Sequence, residues 1–309
     1  MNQSSPKYDV VIVGGGPAGL SAALYAARDK RSVLIIEKGI IGGLITETEK
    51  IDNYPGFPEG LSGFDLTDKM YKQVQKYGTK DVSAEVKGIE QQGREFLVKT
   101  TESDYIARAL IVASGSSHMK LNVPGEKEYT GKGVAYCATC DAPFYTDKIV
   151  AVAGGGDTAL YEALHLTKFA KKVYLIHRRS EYRASPTVQE YVLKNGKIEP
   201  VLNTVIEGVE GGDFVERLSI KNVVNSETSK LDVDGIFIAV GLKPNTEFLG
   251  DLVKLDAGGT VIVNDRMETS MHGVLAAGDV RSSSIRQTVA ACGDGAVAAV
   301  SAGKWLGEA

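Results

Sequence analysis

Two stretches of the chain repeat one pattern, in which a short apolar run rich in β-branched residues leads into a glycine-rich turn and then a helix. The apolar runs cover residues 8–13 and 148–153, and a second apolar run follows each helix, at 32–37 and 172–177. Short runs of this kind predict buried parallel strands, which helices on the faces of the sheet connect. The distance between the two copies is too long for a solenoid repeat and predicts two copies of one α/β domain.

Composition agrees with two globular domains and excludes some functions. A chain of 309 residues has room for about two domains, and a hydrophobic content of 43% is enough to build a core in each. The net charge of −4 provides no basic face for nucleic acid. The chain has neither a membrane-length apolar run nor the pattern of a signal peptide. We therefore expect a cytoplasmic protein that binds neither nucleic acid nor membrane.

The first turn, Gly14-Gly-Gly-Pro-Ala-Gly19, has the features of a dinucleotide-binding loop. Such a loop needs glycine to make the turn, to let the backbone approach a pyrophosphate, and to let the helix pack on the strand. Gly14, Gly16 and Gly19 meet these three needs. The phosphates would lie on free N–H groups at the helix N-terminus, and Glu37 at the end of the next strand would accept hydrogen bonds from ribose hydroxyls. A glycine-rich turn without a ligand is the alternative, and it seldom has this full context.

The second turn is followed by a different kind of strand end. Its residues follow the G-x-G-x-x-A variant, with Gly154, Gly156 and Ala159. The next strand ends in a basic cluster: His177, Arg178, Arg179 and Arg183. Guanidinium groups bind a 2′-phosphate with charge assistance, so this turn predicts a site for NADPH rather than NADH. The alternative is an ordinary solvated cluster. Two different sites indicate two different dinucleotides. The economical pairing is a bound flavin that accepts hydride from a diffusible nicotinamide.

Two of the three cysteines form a C-x-x-C pair, Cys137 and Cys140, shortly before the second turn. This spacing can close a small disulfide that is readily reduced and re-formed, and Asp141 beside it could move a proton to or from a thiolate. Zinc would need four ligands, and no second cysteine pair or histidine spacing provides them. A thioredoxin-like module would need its own small domain around the motif, and none fits here. Two inert buried cysteines are the third alternative. Cys292 receives no catalytic role, because free cysteines are most often simply buried.

These motifs occur in the order seen in bacterial-type, low-molecular-weight thioredoxin reductases, together with Gly42-Gly43, Asn53-Tyr-Pro-Gly56, Gly278-Asp279 and Arg286-Gln287. The resemblance covers nearly the entire chain. It implies an α/β fold of two Rossmann-like, three-layer ββα nucleotide-binding domains, one inserted in the other. The FAD domain would comprise 1–117 and 246–309, and the NADPH domain 118–245. The resemblance also implies a homodimer whose substrate is oxidised thioredoxin.

The same resemblance implies a relay of electrons and a set of cofactor contacts. NADPH would reduce FAD and the flavin would reduce the disulfide, with Cys140 facing the flavin, Cys137 attacking thioredoxin and Asp141 as proton donor and acceptor. The cofactor-binding residues expected in the FAD domain are Gly14, Gly16, Pro17, Ala18, Gly19, Glu37, Lys38, Gly42, Gly43, Thr46, Asn53, Val86, Gly115, Gly278, Asp279, Arg286 and Gln287. Those expected in the NADPH domain are Gly154, Gly156, Asp157, Thr158, Ala159, His177, Arg178, Arg179, Arg183 and Gly241.

The sequence departs from the family at three positions and leaves three other functions open. Leu44 stands where glutamine is common, Thr158 where serine is usual, and Cys292 where a small residue is usual near the flavin. One alternative is a related flavin dithiol enzyme with another protein partner or electron donor. A second is a dithiol oxidase that returns electrons to oxygen, although such relatives tend to lose the arginine pair. The third is a non-enzymatic binding module, which would need neither the cysteine pair nor two nucleotide sites.

Overall fold

A computed structural model describes residues 5–48, 51 and 53–307 of the chain. The strands are β1 (Lys7–Val13), β2 (Val33–Glu37), β3 (Lys80–Ser83), β4 (Val86–Gln92), β5 (Glu95–Thr100), β6 (Tyr105–Val112), β7 (Ser116–His118), β8 (Val134–Ala135), β9 (Ile149–Gly154), β10 (Lys172–Ile176), β11 (Ile198–Val201), β12 (Thr204–Gly211), β13 (Val215–Asn222), β14 (Thr228–Asp232), β15 (Gly235–Ala239), β16 (Leu242–Pro244) and β17 (Val274–Ala276). The helices are α1 (Pro17–Arg28), α2 (Gly63–Gln75), α3 (Ala138–Asp141), α4 (Asp157–Leu166), α5 (Pro186–Lys194) and α6 (Thr288–Gly307). Short 3-10 turns cover Gly43–Glu47, Ala142–Tyr145, Glu247–Leu249 and Gly278–Val280.

The chain divides into two compact units, the first formed by 1–117 with 243–309 and the second by 118–242. The second boundary between these units lies after residue 242, whereas the family resemblance implies a boundary between the FAD and NADPH domains after 245, and that domain assignment stays a prediction. Asn245 explains the difference, because its backbone N–H donates to Gly115 O (3.0 Å) and its side-chain amide donates to Ser114 O (2.8 Å). These hydrogen bonds attach the segment to the first unit.

The first unit is built on a parallel sheet with a different layer on each face. Strands β3, β2, β1, β6 and β17 lie side by side in that order, and β5 and β4 extend the sheet antiparallel from β6. Side chains alternate along β1. Val10 and Ile12 pack with α1 and α6, whereas Val11 and Val13 belong to the apolar cluster of the opposite face, which also contains Leu249 and Val253. The parallel strands are therefore buried on both faces.

The second unit repeats this plan with its own elements. Strands β11, β10, β9, β15 and β8 form a wholly parallel sheet. Helices α3, α4 and α5 pack on one face, and the antiparallel strands β12, β13 and β14 pack on the other. The predicted fold class, an α/β protein of two Rossmann-like, three-layer ββα domains, is confirmed.

Helix α6 contains two glycines in its first half, Gly293 and Gly295. Glycine lowers helix propensity, but packing on α1 overrides the propensity here. A Cβ on Gly295 would lie 2.1 Å from Ala18 O, so the close approach of the two helices requires glycine. Neither α6 nor another helix in the described ranges is long and apolar enough to cross a membrane.

The close packing of α1 on α6 makes Gly295→Ala destabilising. The added methyl group would push the helices apart, and we expect a loss of about 2 kcal/mol in the free energy of unfolding. Gly293 in the same helix is the matched control, because nothing lies within 4 Å of a Cβ there. Gly293→Ala should stabilise the protein by about 0.5–1 kcal/mol. Thermal unfolding at equal flavin content measures both, and equal melting temperatures would contradict the packing argument.

Candidate functional site

The turn between β1 and α1 contains two positions that only glycine can occupy. Gly14 has φ +108°, and a Cβ on it would lie 2.2 Å from Ala113 O. A Cβ on Gly19 would lie 1.9 Å from Gly14 O, so the helix could not pack on the strand. Gly16 instead has open space, with its nearest neighbour 3.9 Å from a Cβ, and it begins α1 without a side-chain cap. The backbone N–H groups of the first helical turn are therefore open to a phosphate.

Glu37 at the end of β2 is anchored to the backbone of this turn. Its Oε2 accepts a hydrogen bond from Gly15 N–H (2.7 Å), and its Oε1 accepts one from Gly39 N–H (2.8 Å). Each carboxylate oxygen has a further lone pair, so Glu37 can still accept from a ribose hydroxyl. Its predicted contact, and that of the exposed Lys38 beside it, stay predictions.

A second glycine pair lies against the first turn. Gly42 has φ +120° and its N–H donates to Gly15 O (2.8 Å), while a Cβ on Gly43 would lie 3.2 Å from Gly16 Cα. Thr46 donates its hydroxyl to Gly43 O (2.8 Å) and holds the loop. The structure thus brings together two motifs that the sequence places about thirty residues apart.

The Gly278-Asp279 turn also lies at the start of α1. Gly278 has φ +77°, and a Cβ on it would lie 2.9 Å from Ala18 Cβ. Its N–H donates to Asp294 Oδ2 (3.1 Å), and Asp294 forms a bidentate ion pair with Arg281, at 2.6 and 2.9 Å. Burial raises the pKa of Asp279. Sequence reasoning did not identify Arg281 or Asp294. The signal that could have indicated Asp294 was an acidic residue inside a helix of small residues.

Two further predicted contacts meet across a long separation in sequence. Asn53 donates its side-chain amide to Gln287 Oε1 (3.1 Å). Nearby, the Tyr54 hydroxyl donates to Cys292 Sγ (3.7 Å). Burial raises the pKa of the Cys292 thiol, although Tyr54 lowers it, so the thiol stays protonated and unreactive at neutral pH.

For three predicted residues of the first unit, only the backbone or the charge is available for a contact with the cofactor. The Val86 side chain is buried in the core beside β2, so a cofactor contact there would come from its main chain. Gly115 has φ +64° and its carbonyl is bonded to Asn245, and Arg286 also has a positive φ, of +55°. Their cofactor contacts stay predictions.

The turn between β9 and α4 repeats the geometry of the first turn. A Cβ on Gly154 would lie 2.5 Å from both Ala159 Cβ and the backbone oxygen of Ala239, so this position requires glycine. Gly156 begins α4 without a side-chain cap, and nothing lies within 4 Å of a Cβ there. This helix N-terminus is also open to a phosphate, as the sequence predicted for a second nucleotide.

His177 lies beneath this turn. A Cβ on Gly155 would be 2.3 Å from the imidazole, and the ring also packs on Tyr182, with centroids 5.6 Å apart. Burial, followed by the charges of the neighbouring arginines, lowers the His177 pKa, so the ring is neutral at pH 7. Its Nε2 is buried and has no hydrogen-bond partner among the described residues. A neutral, buried ring supports the loop, and its predicted contact with the nucleotide stays a prediction.

The three arginines beside this turn are free to bind an anion. Arg178, Arg179 and Arg183 are exposed, and within the described residues none of them forms an ion pair. The backbone N–H of Arg183 donates to Gly155 O (2.7 Å), which fixes its segment to the glycine turn. Unpaired guanidinium groups beside an open helix N-terminus fit a dinucleotide with a 2′-phosphate.

Three other expected residues of the second unit lie in the first turn of α4 or shortly after β15. Asp157 accepts a hydrogen bond from Ser185 N–H (2.9 Å), and this bond lowers the Asp157 pKa. Thr158 is exposed, and Gly241 has φ +137°. Their predicted contacts with the nucleotide remain untested.

The cysteine pair lies on the short helix α3 of the second unit. Cys137 and Cys140 form a disulfide with their Cα atoms 5.4 Å apart, and both residues are half-buried. Cys137 caps the helix, and its Sγ accepts a hydrogen bond from Cys140 N–H (3.3 Å). Asp141 ends the helix and is also half-buried. A partly accessible disulfide of this kind can exchange with other thiols.

Comparison with known proteins agrees with this arrangement. The model of the pyridine nucleotide-disulphide oxidoreductase family matches residues 8–295. Thioredoxin reductase of Peptoclostridium acidaminophilum is 42% identical over 97% of both chains, and that of Bacillus subtilis is 41% identical over 97% of this chain and 95% of its own. The crystal structure of thioredoxin reductase from Streptococcus pyogenes covers 99% of this chain and 100% of its own, with a TM-score of 0.94 and 41% identity. The chain therefore belongs to the pyridine nucleotide-disulphide oxidoreductase family, among the bacterial-type thioredoxin reductases.

Proposed function

We propose that the protein reduces oxidised thioredoxin with electrons from NADPH, which pass through FAD and the Cys137–Cys140 pair. The observation that carries the proposal is the combination, in one chain, of two glycine turns with uncapped helix N-termini and an accessible disulfide on α3. Relatives of about 41% identity over nearly the full chain are named thioredoxin reductase, which supports thioredoxin as the substrate.

Each unit would hold one cofactor. The first turn of α1, with Asp279 and the Gly42-Gly43 loop against it, would bind FAD. The first turn of α4 would bind the pyrophosphate of NADPH, and Arg178 and Arg179 its 2′-phosphate. When bound, the two groups supply the hydride and electron chemistry that side chains lack.

The cysteine pair would carry the protein's own chemistry. Two electrons break the Cys137–Cys140 bond, and the sulfurs become a thiol and a thiolate once a proton has been taken up, with Asp141 close by as the donor. The hydrogen bond from Cys140 N–H favours a negative charge on Cys137 Sγ, and hence Cys137 as the attacking sulfur. Cys137 would displace one sulfur of thioredoxin and form a mixed disulfide. Cys140 would then attack Cys137, re-form the disulfide and release reduced thioredoxin.

The remaining parts of the proposal concern assembly and location. The family resemblance supports a homodimer in the cytoplasm. Sedimentation of the purified protein measures its mass in solution, and a mass of twice 32.9 kDa is the expected value.

Anaerobic reduction tests the main proposal. Addition of NADPH to the purified protein should bleach the flavin absorbance, and subsequent addition of oxidised bacterial thioredoxin should restore it and produce two thiols per NADPH consumed. NADH should need a concentration about 100-fold higher, because it lacks the phosphate that the arginines bind. A flavin that stays oxidised with NADPH would show that the assignment of the second turn is wrong. If NADPH bleached the flavin but thioredoxin stayed oxidised, the assignment of the NADPH site would stand and thioredoxin would be excluded as the substrate.

A further inference from the structure

Helix α4 carries an acid on its buried face. Ala159, Ala163 and Leu166 of this face are fully buried in the core of the second unit. Glu162 lies three residues after Ala159 and four before Leu166, so it projects from the same face. A carboxyl group in an apolar layer is costly to desolvate, and an apolar residue would be expected at this position. The acid therefore needs a specific explanation.

The Glu162 carboxyl group contacts the helix that holds the two cysteines. The backbone of Ala138, the residue that follows Cys137, lies close enough to the carboxyl group to lower its pKa. Oxygen Oε2 is buried and, within the described residues, has no hydrogen-bond partner. Helix α3 packs directly on α4. An ionisable group with one unused oxygen thus lies beside the backbone of the redox-active segment.

The surroundings of this carboxyl group disfavour its negative charge. Burial, together with the nearby charge of Asp141, raises the Glu162 pKa to about 7, although the backbone of Ala138 acts in the opposite direction. Helices α3 and α5 and strands β9, β10 and β15 pack against α4, and among their described residues Asp141 is the charged group that acts on Glu162. The disulfide is neutral, so its reduction to a thiolate adds a second negative charge on α3. A nearby negative charge raises the pKa of a carboxyl group.

We propose that Glu162 takes up a proton when the Cys137–Cys140 disulfide is reduced, and that this uptake allows the reduced pair to keep a thiolate at neutral pH. The S–S bond breaks as two electrons arrive, from the bound flavin in turnover or from a dithiol in solution. One proton from solvent makes one sulfur a thiol, the other sulfur stays a thiolate, and a second solvent proton binds Glu162. Oxidation of the pair returns both protons. Glu162 is a positioning residue, which acts through the charge balance of α3.

This inference rests on the proposed function only in that the cysteine pair is redox-active, and its test needs neither NADPH nor thioredoxin. The full-length flavoprotein is equilibrated with mixtures of reduced and oxidised dithiothreitol between pH 7.5 and 8.5, where Glu162, with a pKa of about 7, is mostly ionised in the oxidised protein. Acid quenching, alkylation and peptide mass spectrometry then give the ratio of reduced to oxidised pair. Dithiothreitol loses two electrons and two protons on oxidation. If the protein gains two protons as well, the equilibrium constant does not depend on pH.

Glu162→Gln keeps the shape and a hydrogen-bond acceptor but cannot bind the second proton. One proton is then released per disulfide reduced, so the constant should favour the reduced protein by up to about tenfold more for each pH unit. Glu190→Gln is the matched control, because Glu190 is an exposed acid on α5 that pairs with Lys194. The equilibrium constant of Glu190→Gln with dithiothreitol should be independent of pH, like that of the unaltered protein.

An infrared difference spectrum of the unaltered protein gives a second measurement that needs no variant. Reduction at pH 8 should produce the C=O stretching band of a protonated carboxylic acid, and Glu162→Gln should lack it. The proposal is overturned if the unaltered protein shows the same pH dependence as Glu162→Gln, or if no such band forms on reduction. Should Glu162→Gln fail to fold, the band in the unaltered protein decides. If the NADPH assay failed but the dithiothreitol and infrared experiments gave the expected results, the proposed function would be rejected and the role of Glu162 would stand.

Discussion

Replacement of Cys140 by serine is expected to abolish the reduction of thioredoxin, with a decrease in turnover of at least about a thousandfold. A serine hydroxyl can neither form a disulfide with Cys137 nor resolve a mixed disulfide, so no electrons pass. The backbone hydrogen bond from residue 140 to Cys137 Sγ does not depend on the side chain, and helix α3 should keep its conformation. The two nucleotide turns are untouched. NADPH should therefore still bleach the flavin of this variant.

The division of work between the two sulfurs is tested with the pair of serine variants. The substrate is a thioredoxin with a single cysteine, activated as its thionitrobenzoate mixed disulfide. Cys140→Ser should release one coloured thiolate and form a stable mixed disulfide through Cys137. Cys137→Ser should react at least about tenfold more slowly, because Cys140 lacks the hydrogen bond that favours a thiolate at Cys137. Equal rates would contradict the assignment of Cys137 as the attacking sulfur.

Local steric requirements account for what the sequence predicts well. A Cβ on Gly14 or Gly19 would collide with backbone, so a strand, a tight turn and a helix in this order leave a visible pattern of glycines. The basic cluster is also local, because a strand end fixes the place of Arg178 and Arg179. The parallel sheets follow from apolar runs between these turns. The confirmed fold class rests on these short-range patterns and on the family resemblance.

Contacts that depend on tertiary packing leave no comparable pattern. The hydrogen bond between Asn53 and Gln287 joins residues 234 positions apart, and the Arg281–Asp294 pair depends on the packing of α6. The sequence does not distinguish Glu162 from other helix residues, because its burial depends on the packing of α3 on α4. Gly293 and Gly295 lower the helix propensity of α6, whereas packing on α1 keeps the helix intact. The early boundary at residue 242 likewise depends on hydrogen bonds of Asn245 that spacing does not indicate.

Removal of the two strand-end arginines is expected to change the preference of the enzyme for NADPH. Arg178 and Arg179 are exposed and have no acidic partner among the described residues, so their charges are available for a 2′-phosphate. Charge-assisted hydrogen bonds of this kind contribute about 1.5–3 kcal/mol each. The double variant Arg178→Gln, Arg179→Gln should therefore raise the KM for NADPH by at least about 100-fold. The KM for NADH and both kcat values should change little, because the glycine turn and the cysteine pair are intact.

Steady-state kinetics with both nucleotides at two ionic strengths distinguishes a phosphate site from a general effect of charge. The KM of the unaltered protein for NADPH should rise with salt, since exposed charges are screened, whereas that of the double variant should not. Lys194→Gln removes an exposed positive charge from α5 of the same unit and should leave both KM values unchanged. If the double variant weakened NADPH and NADH equally, the arginines would be a solvated cluster without a role in selection. A loss confined to NADPH assigns the 2′-phosphate to them, because that group alone distinguishes the two nucleotides.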